Sequence, residues 1–283
     1  MSKNSSRRHH YIPQFLIKGF TDEKGMLYIY DKVNDKILKQ VRPPKSIFYE
    51  YERNTIEINN FEKSAFLEDI FYKKVDDSSA KTIRSLQTSI INDDFFLDEI
   101  TNDFQFFIIN LFWRLPKTDY AVKDLIERAE IKVNDENIND DIKKDPSFSK
   151  LIRAKLFKET FEQFEDQNNR PKGYKIQVSE FKDDLFLIGD YPIIFRNHMS
   201  KFTDLMQSEF KMAISSKRII SFSLNSIPSF KHNNFLKYNA LIIEQSMFYA
   251  ASNDIRILRA SIEYYKTLKD RSWQYQAKEL LFK

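Results

Sequence analysis

The sequence predicts an α+β fold: an N-terminal β-hairpin joining a mixed or antiparallel sheet, packed against a mainly helical bundle. Three observations predict it. Leu27-Tyr28-Ile29-Tyr30 alternates with period two near the N-terminus, as a hairpin strand does. Helix-period apolar faces dominate the middle and the end of the chain. Further strand-like stretches follow the central helices, without the βαβ alternation of a doubly wound sheet.

The elements follow in order. Pro13 suits the first turn of a short helix over 14–18, because its missing N–H is no loss there, and Gly19 is a stop. His9, His10 and Tyr11 then form an extended approach to it. The hairpin spans 26–31 and 36–41, with Lys32-Val33-Asn34-Asp35 as its turn. Asn59-Asn60 offers an N-cap for a long helix over 61–86. A second helix over 101–114 carries Phe104, Phe107, Ile108, Leu111 and Phe112 on one face, and Pro116 stops it. A short helix starts at Asp119. Residues 132–146 are rich in Asn, Asp and Lys and read as a flexible, solvated insertion. A helix over 149–166 follows. Strands are expected at 174–179, 185–188, 193–195, 211–214 and 218–223. Helices at 234–251 and 254–269, and one near the C-terminus, close the chain.

Composition narrows the chemistry. The 283 residues can bury a sizeable core, and 42% hydrophobic content is that of an ordinary globular chain. The 26 Phe and 14 Tyr point to an aromatic-rich core. With 4 Gly, the chain has neither G-x-G-x-x-G nor a Walker-type phosphate loop. The absence of Cys excludes disulfides, thiol nucleophiles, thiolate zinc sites and iron–sulfur clusters. It fits a cytoplasmic protein. The polar, basic N-terminus does not read as a signal peptide. No apolar run approaches the roughly 20 residues that cross a bilayer, so no membrane partner is expected. A net charge of +4 permits a local nucleic-acid patch without implying one.

The stretch densest in reactive groups is Arg8-His9-His10-Tyr11-Ile12-Pro13-Gln14-Phe15, with two of the four histidines. Histidine titrates near neutral pH and serves as a general base, general acid or metal ligand. Neighbours on an extended chain point to opposite sides, so one imidazole faces a site when the other faces away. The bland alternative is a basic tail with both rings in water. Gln14 cannot transfer protons but can hold substrate or water. Arg114 ends an apolar helix. There it complements the macrodipole, or it forms a fork for phosphate or carboxylate. Asp190, in Gly189-Asp190-Tyr191-Pro192, suits a turn that binds backbone amides, or a carboxylate that ligates a metal or orients a histidine. His198 and His232 stand in polar loops and read as surface residues.

Five islands carry a resemblance. They are His10-Tyr11-Ile12-Pro13-Gln14-Phe15-Leu16 with Gly19-Phe20; Leu27-Tyr28-Ile29-Tyr30-Asp31-Lys32; residues 106–116, ending Arg114-Leu115-Pro116; Asp190-Tyr191-Pro192-Ile193; and residues 239–252. In order and spacing they resemble the bacterial domain-of-unknown-function family 4238. Tyr191 stands where that family usually has Asn. The resemblance covers almost the whole chain and implies a single domain over 1–283. It also implies that His10, Gln14, Arg114 and Asp190 converge. Members resemble components of anti-phage defence loci, which implies an antiviral or toxin-like effector.

Three readings follow. In the first, the protein is a nuclease acting on phage or host nucleic acid. His10, or His9, is the general base; Arg114 stabilises the phosphate; Asp190 orients the histidine or holds Mg2+ or Mn2+; Gln14 positions water or substrate. In the second, the same cluster is a sensing or binding module for a phage protein or a small ligand. In the third, Tyr11-Ile12-Pro13-Gln14 pins the N-terminus onto the sheet, with the histidines buried and hydrogen-bonded.

Overall fold

Strand pairing begins in the first residues of the fold. The computed structural model describes residues 7–58, 62–64, 72–88, 98–130, 132–133, 136–137, 140–166, 173–197, 205, 207–224, 229–268 and 272–283. Strand β1 (Arg8–His10) leads past Pro13 into α1 (Gln14–Ile17). β2 (Tyr28–Asp31) and β3 (Lys36–Ile37) form the expected hairpin. Its turn is fixed by Asp31, which accepts from the Asn34 backbone N–H at 3.0 Å, and by Asp35 at φ 46°. β4 (Tyr49–Tyr51) pairs antiparallel with β1, and β5 (Ile56–Ile58) with β6 (Glu62–Ser64).

The helical layer comes next. It comprises α2 (Lys73–Thr88), α3 (Asp98–Arg114), α4 (Pro116–Arg128), the ribbon β7 (Lys132–Val133) and β8 (Glu136–Asn137), α5 (Asp140–Lys144) and α6 (Pro146–Glu165). The second half follows with β9 (Tyr174–Glu180), β10 (Ile188–Gly189), β11 (Ile194–Phe195), β12 (Phe210–Ala213), β13 (Arg218–Leu224), α7 (Phe235–Gln245), β14 (Tyr249–Ser252), α8 (Ile255–Thr267) and α9 (Trp273–Leu281).

Two four-stranded antiparallel sheets organise these strands, in the orders β10-β14-β2-β3 and β11-β12-β13-β9. The hairpin therefore joins later strands in one sheet, and the α+β class holds. One cluster of buried apolar side chains runs from Tyr11 through Phe107, Trp113 and Tyr238 to Leu281. Among the described residues, no helix is long and apolar enough to cross a membrane.

Several boundaries differ from expectation, each for a physical reason. The helix expected over 61–86 begins at Lys73. Glu62–Ser64 instead pairs with Ile56-Glu57-Ile58, whose alternation competes with the helical period. Asn59 and Asn60, its expected cap, lie outside the described residues. Pro116 ends α3 and also opens α4 at its first position, so that helix starts before Asp119. Residues expected to form an open insertion carry β7, β8 and α5. The helix expected over 234–251 stops at Gln245, and Tyr249–Ser252 becomes a strand between β10 and β2. Its alanines favour helix, but cross-strand pairing overrides that propensity.

Candidate functional site

The two adjacent histidines leave opposite faces of β1. His9 turns inward and is 1% exposed. Its Nδ1 accepts the Asn54 backbone N–H at 3.0 Å, which places the proton of a neutral ring on Nε2. His10 lies on the opposite face and is half-buried, its ring 5.6 Å from that of Tyr49. The following residues Tyr11, Ile12, Phe15 and Leu16 are buried, so the motif is pinned into the core. Gln14 is exposed at the start of α1.

Arg114 approaches this motif from the end of α3. Its guanidinium donates to the His10 carbonyl at 2.7 Å and to Asp76 Oδ1 at 2.5 Å. It also lies 5.0 Å from the centre of the Tyr72 ring. Arg114 is thus a buried fork, and the groups it holds here belong to the chain itself. His10 and Arg114 are brought together through the His10 backbone.

Asp190 is held elsewhere. Gly189 sets it in place, because a Cβ there would stand 2.9 Å from Ile242 Cγ2. The Asp190 carboxylate accepts the N–H groups of Met247, Phe248 and Tyr249 at 2.7, 2.6 and 2.8 Å. These amides lie across the fold, not two residues on as a local turn at Asp190 would place them. Burial pushes the carboxyl up, while the three amides and the Lys32 ammonium oppose that shift. Tyr11 links this region to the motif. Its phenol is pushed well up, first by burial and then by the charges of Asp190 and Glu50. Among the described residues, no group of three or more His, Asp or Glu is placed to hold a metal ion. His232 is exposed, as expected, and His198 lies outside the described residues.

Behind His9 lies a set of charges that motif reasoning missed. Arg53 donates to Glu50 Oε2 at 2.7 Å and to the Arg114 carbonyl at 3.1 Å, and pairs with Asp119 Oδ2 at 2.6 Å. Arg153 donates to Asp119 Oδ1 and to Asn54 Oδ1, both at 2.6 Å. Asn54 is the residue whose N–H holds His9. Burial works against the Arg153 charge, yet Tyr72 and Asp119 outweigh it and hold its pKa above the ordinary value. Both arginines are buried, while the Asp119 side chain remains 29% exposed. One signal could have found this set. Arg153 shares the buried stripe of α6 with Phe157, Thr160 and Phe164, where an apolar residue is expected.

Arg53, Asp119 and Arg153 form a wall of a cleft of about 700 Å3. Val122 and Ile126 add an apolar patch to it, and Lys150 stands at its side. Burial lowers the Lys150 pKa, and its ammonium donates to the Thr55 carbonyl at 2.7 Å. A cleft of this size with a few converging polar groups is the usual form of a small-ligand site.

No curated protein matches the chain, and no solved structure does. The family model described as protein of unknown function (DUF4238) matches residues 8–255, and the chain belongs to that family.

Proposed function

We propose that this protein is a cytoplasmic recognition module of bacterial antiviral defence, sensor or toxin-like effector, and that its ligand occupies the cleft walled by Arg53, Asp119 and Arg153. The observation that carries this reading is the pair of buried arginines sharing one partly exposed carboxylate. Desolvating such charges offsets most of their attraction, so ion sets of this kind are weak sources of stability. A cleft wall that must discriminate a polar ligand gives them a use. The same set fixes His9 through Asn54, which ties the N-terminal motif to the cleft.

The test is phage plating on cells with and without the protein. Protection is expected from the wild type. It is expected to vanish in Ser149→Trp, which fills the cleft from α6 without removing a buried contact. No protection by the wild type, or full protection by a folded Ser149→Trp, removes this reading.

A nuclease is the second reading, favoured by the half-buried His10 ring on the face of β1 opposite His9. His10 is then the general base and Mg2+ or Mn2+ the candidate metal. Arg114 supports that base through the His10 carbonyl rather than by touching its ring. Degradation of RNA or DNA that disappears in His10→Ala supports it; intact nucleic acid with either metal ends it.

A further inference from the structure

The face of the β1–β4 ribbon that carries His10 lies beside the cleft and shares only Tyr51 with its lining. The register sets Arg8 opposite Tyr51 and His10 opposite Tyr49, so these four side chains share one face. His9 and Glu50 occupy the other. The four form a ladder. The Arg8 guanidinium carbon lies 5.0 Å from the Tyr49 ring centre and 5.7 Å from that of Tyr51. The two tyrosine rings stand 5.5 Å apart at 86°. Arg8 is exposed, and Tyr51 is 61% exposed.

Aromatic rings that only stabilise a ribbon do so by covering each other. Here the outermost ring is left open to water beside a cation. The neighbouring carboxylates do not oppose an anionic partner on this face: Glu50 is held by Arg53, and Glu52 by Arg7 at 2.9 Å. The face offers two things at once, flat π surface and positive charge.

We infer that the Arg8, His10, Tyr49 and Tyr51 face of this ribbon binds single-stranded nucleic acid by stacking unpaired bases on its aromatic rings. Base stacking on aromatics tolerates any base, because every base presents a π face. Arg8 supplies a stacking cation and a phosphate contact. A duplex keeps its bases stacked on each other and gains little from such a face. RNA and DNA share this chemistry, and the experiment separates them. Tyr51 stands where the ribbon face meets the cleft mouth. The inference is otherwise independent of the proposed cleft ligand.

The test is fluorescence anisotropy of the full chain with labelled oligo-U, oligo-dT and a duplex of equal length. Both single strands are expected to bind saturably and the duplex at least about tenfold more weakly; a preference between oligo-U and oligo-dT names the natural strand. Tyr51→Ala and Arg8→Ala are each expected to weaken binding about tenfold, while Tyr51→Phe retains it. Arg8→Ala should also lower the salt slope by about 0.7 for the lost phosphate contact. Ser149→Trp, which fills the cleft, is expected to leave oligonucleotide binding unchanged. The inference is overturned if single strands do not bind, if duplex binds as well, or if Tyr51→Ala and Arg8→Ala match the wild type. It is overturned equally if Ser149→Trp alone abolishes binding, which would place the strand in the cleft.

Discussion

The Arg114 guanidinium donates to the backbone carbonyl of His10 at 2.7 Å, across 104 residues of sequence. This bond locks β1 to the end of α3. It assigns Arg114 a positioning role that its place at a helix end does not reveal.

Arg114→Ala therefore acts first on stability. The variant removes an ion pair from Asp76 and a donor from the His10 carbonyl, a loss of about 3 kcal/mol. Chemical denaturation should show it. Arg114→Lys should recover little, because one ammonium cannot serve two acceptors in the geometry of a planar fork. A variant as stable as the wild type would contradict the role.

Asp190 has a similar task on the other side of the motif. Asp190→Ala leaves three amides of the 247–249 segment without their acceptor. A loss of about 3 kcal/mol or more is expected, with faster hydrogen exchange at Met247, Phe248 and Tyr249. Unchanged exchange there would show that the carboxylate does not hold the segment.

Lys211 gives a pH signature. It is 2% exposed on β12, and its ammonium donates to Ser221 Oγ. Burial lowers its pKa from 10.5 to about 8. Between those values the unfolded chain binds the proton and the folded chain does not, so this group adds stability as pH rises from about 8 to about 10.5. Below pH 8 both states are charged, and the burial penalty is present in full, about 3 kcal/mol. Lys211→Met is expected to raise Tm at pH 7 and to abolish that alkaline gain relative to the wild type. A lower Tm at pH 7 would contradict the assignment.

Much of the fold is legible in the sequence because local signals agree with the global structure. The hairpin is written in the alternation of Leu27 to Tyr30 and in the turn residues after it. α3 is written in Phe104, Phe107, Ile108 and Leu111. β14 is not legible, because Ala250 and Ala251 favour helix and only pairing with β2 and β10 makes them strand. In the candidate site, one inward and one outward histidine follows from strand geometry alone. The Arg53, Asp119 and Arg153 set does not. Its members come from a loop and two helices, and their charges read as surface until the packing of α4 on α6 is known. Only Arg153, out of place in an apolar stripe, hints at it.

The buried set of Arg53, Asp119 and Arg153 serves recognition rather than stability. The direct test is phage plating with the double variant Asp119→Leu/Arg153→Met, with Tm measured alongside. It exchanges two ion pairs, Asp119 with Arg153 and with Arg53, for apolar packing and leaves Arg53 its partner Glu50. A folded protein with a Tm near that of the wild type and no protection is expected. A folded double variant that protects as well as the wild type would contradict it.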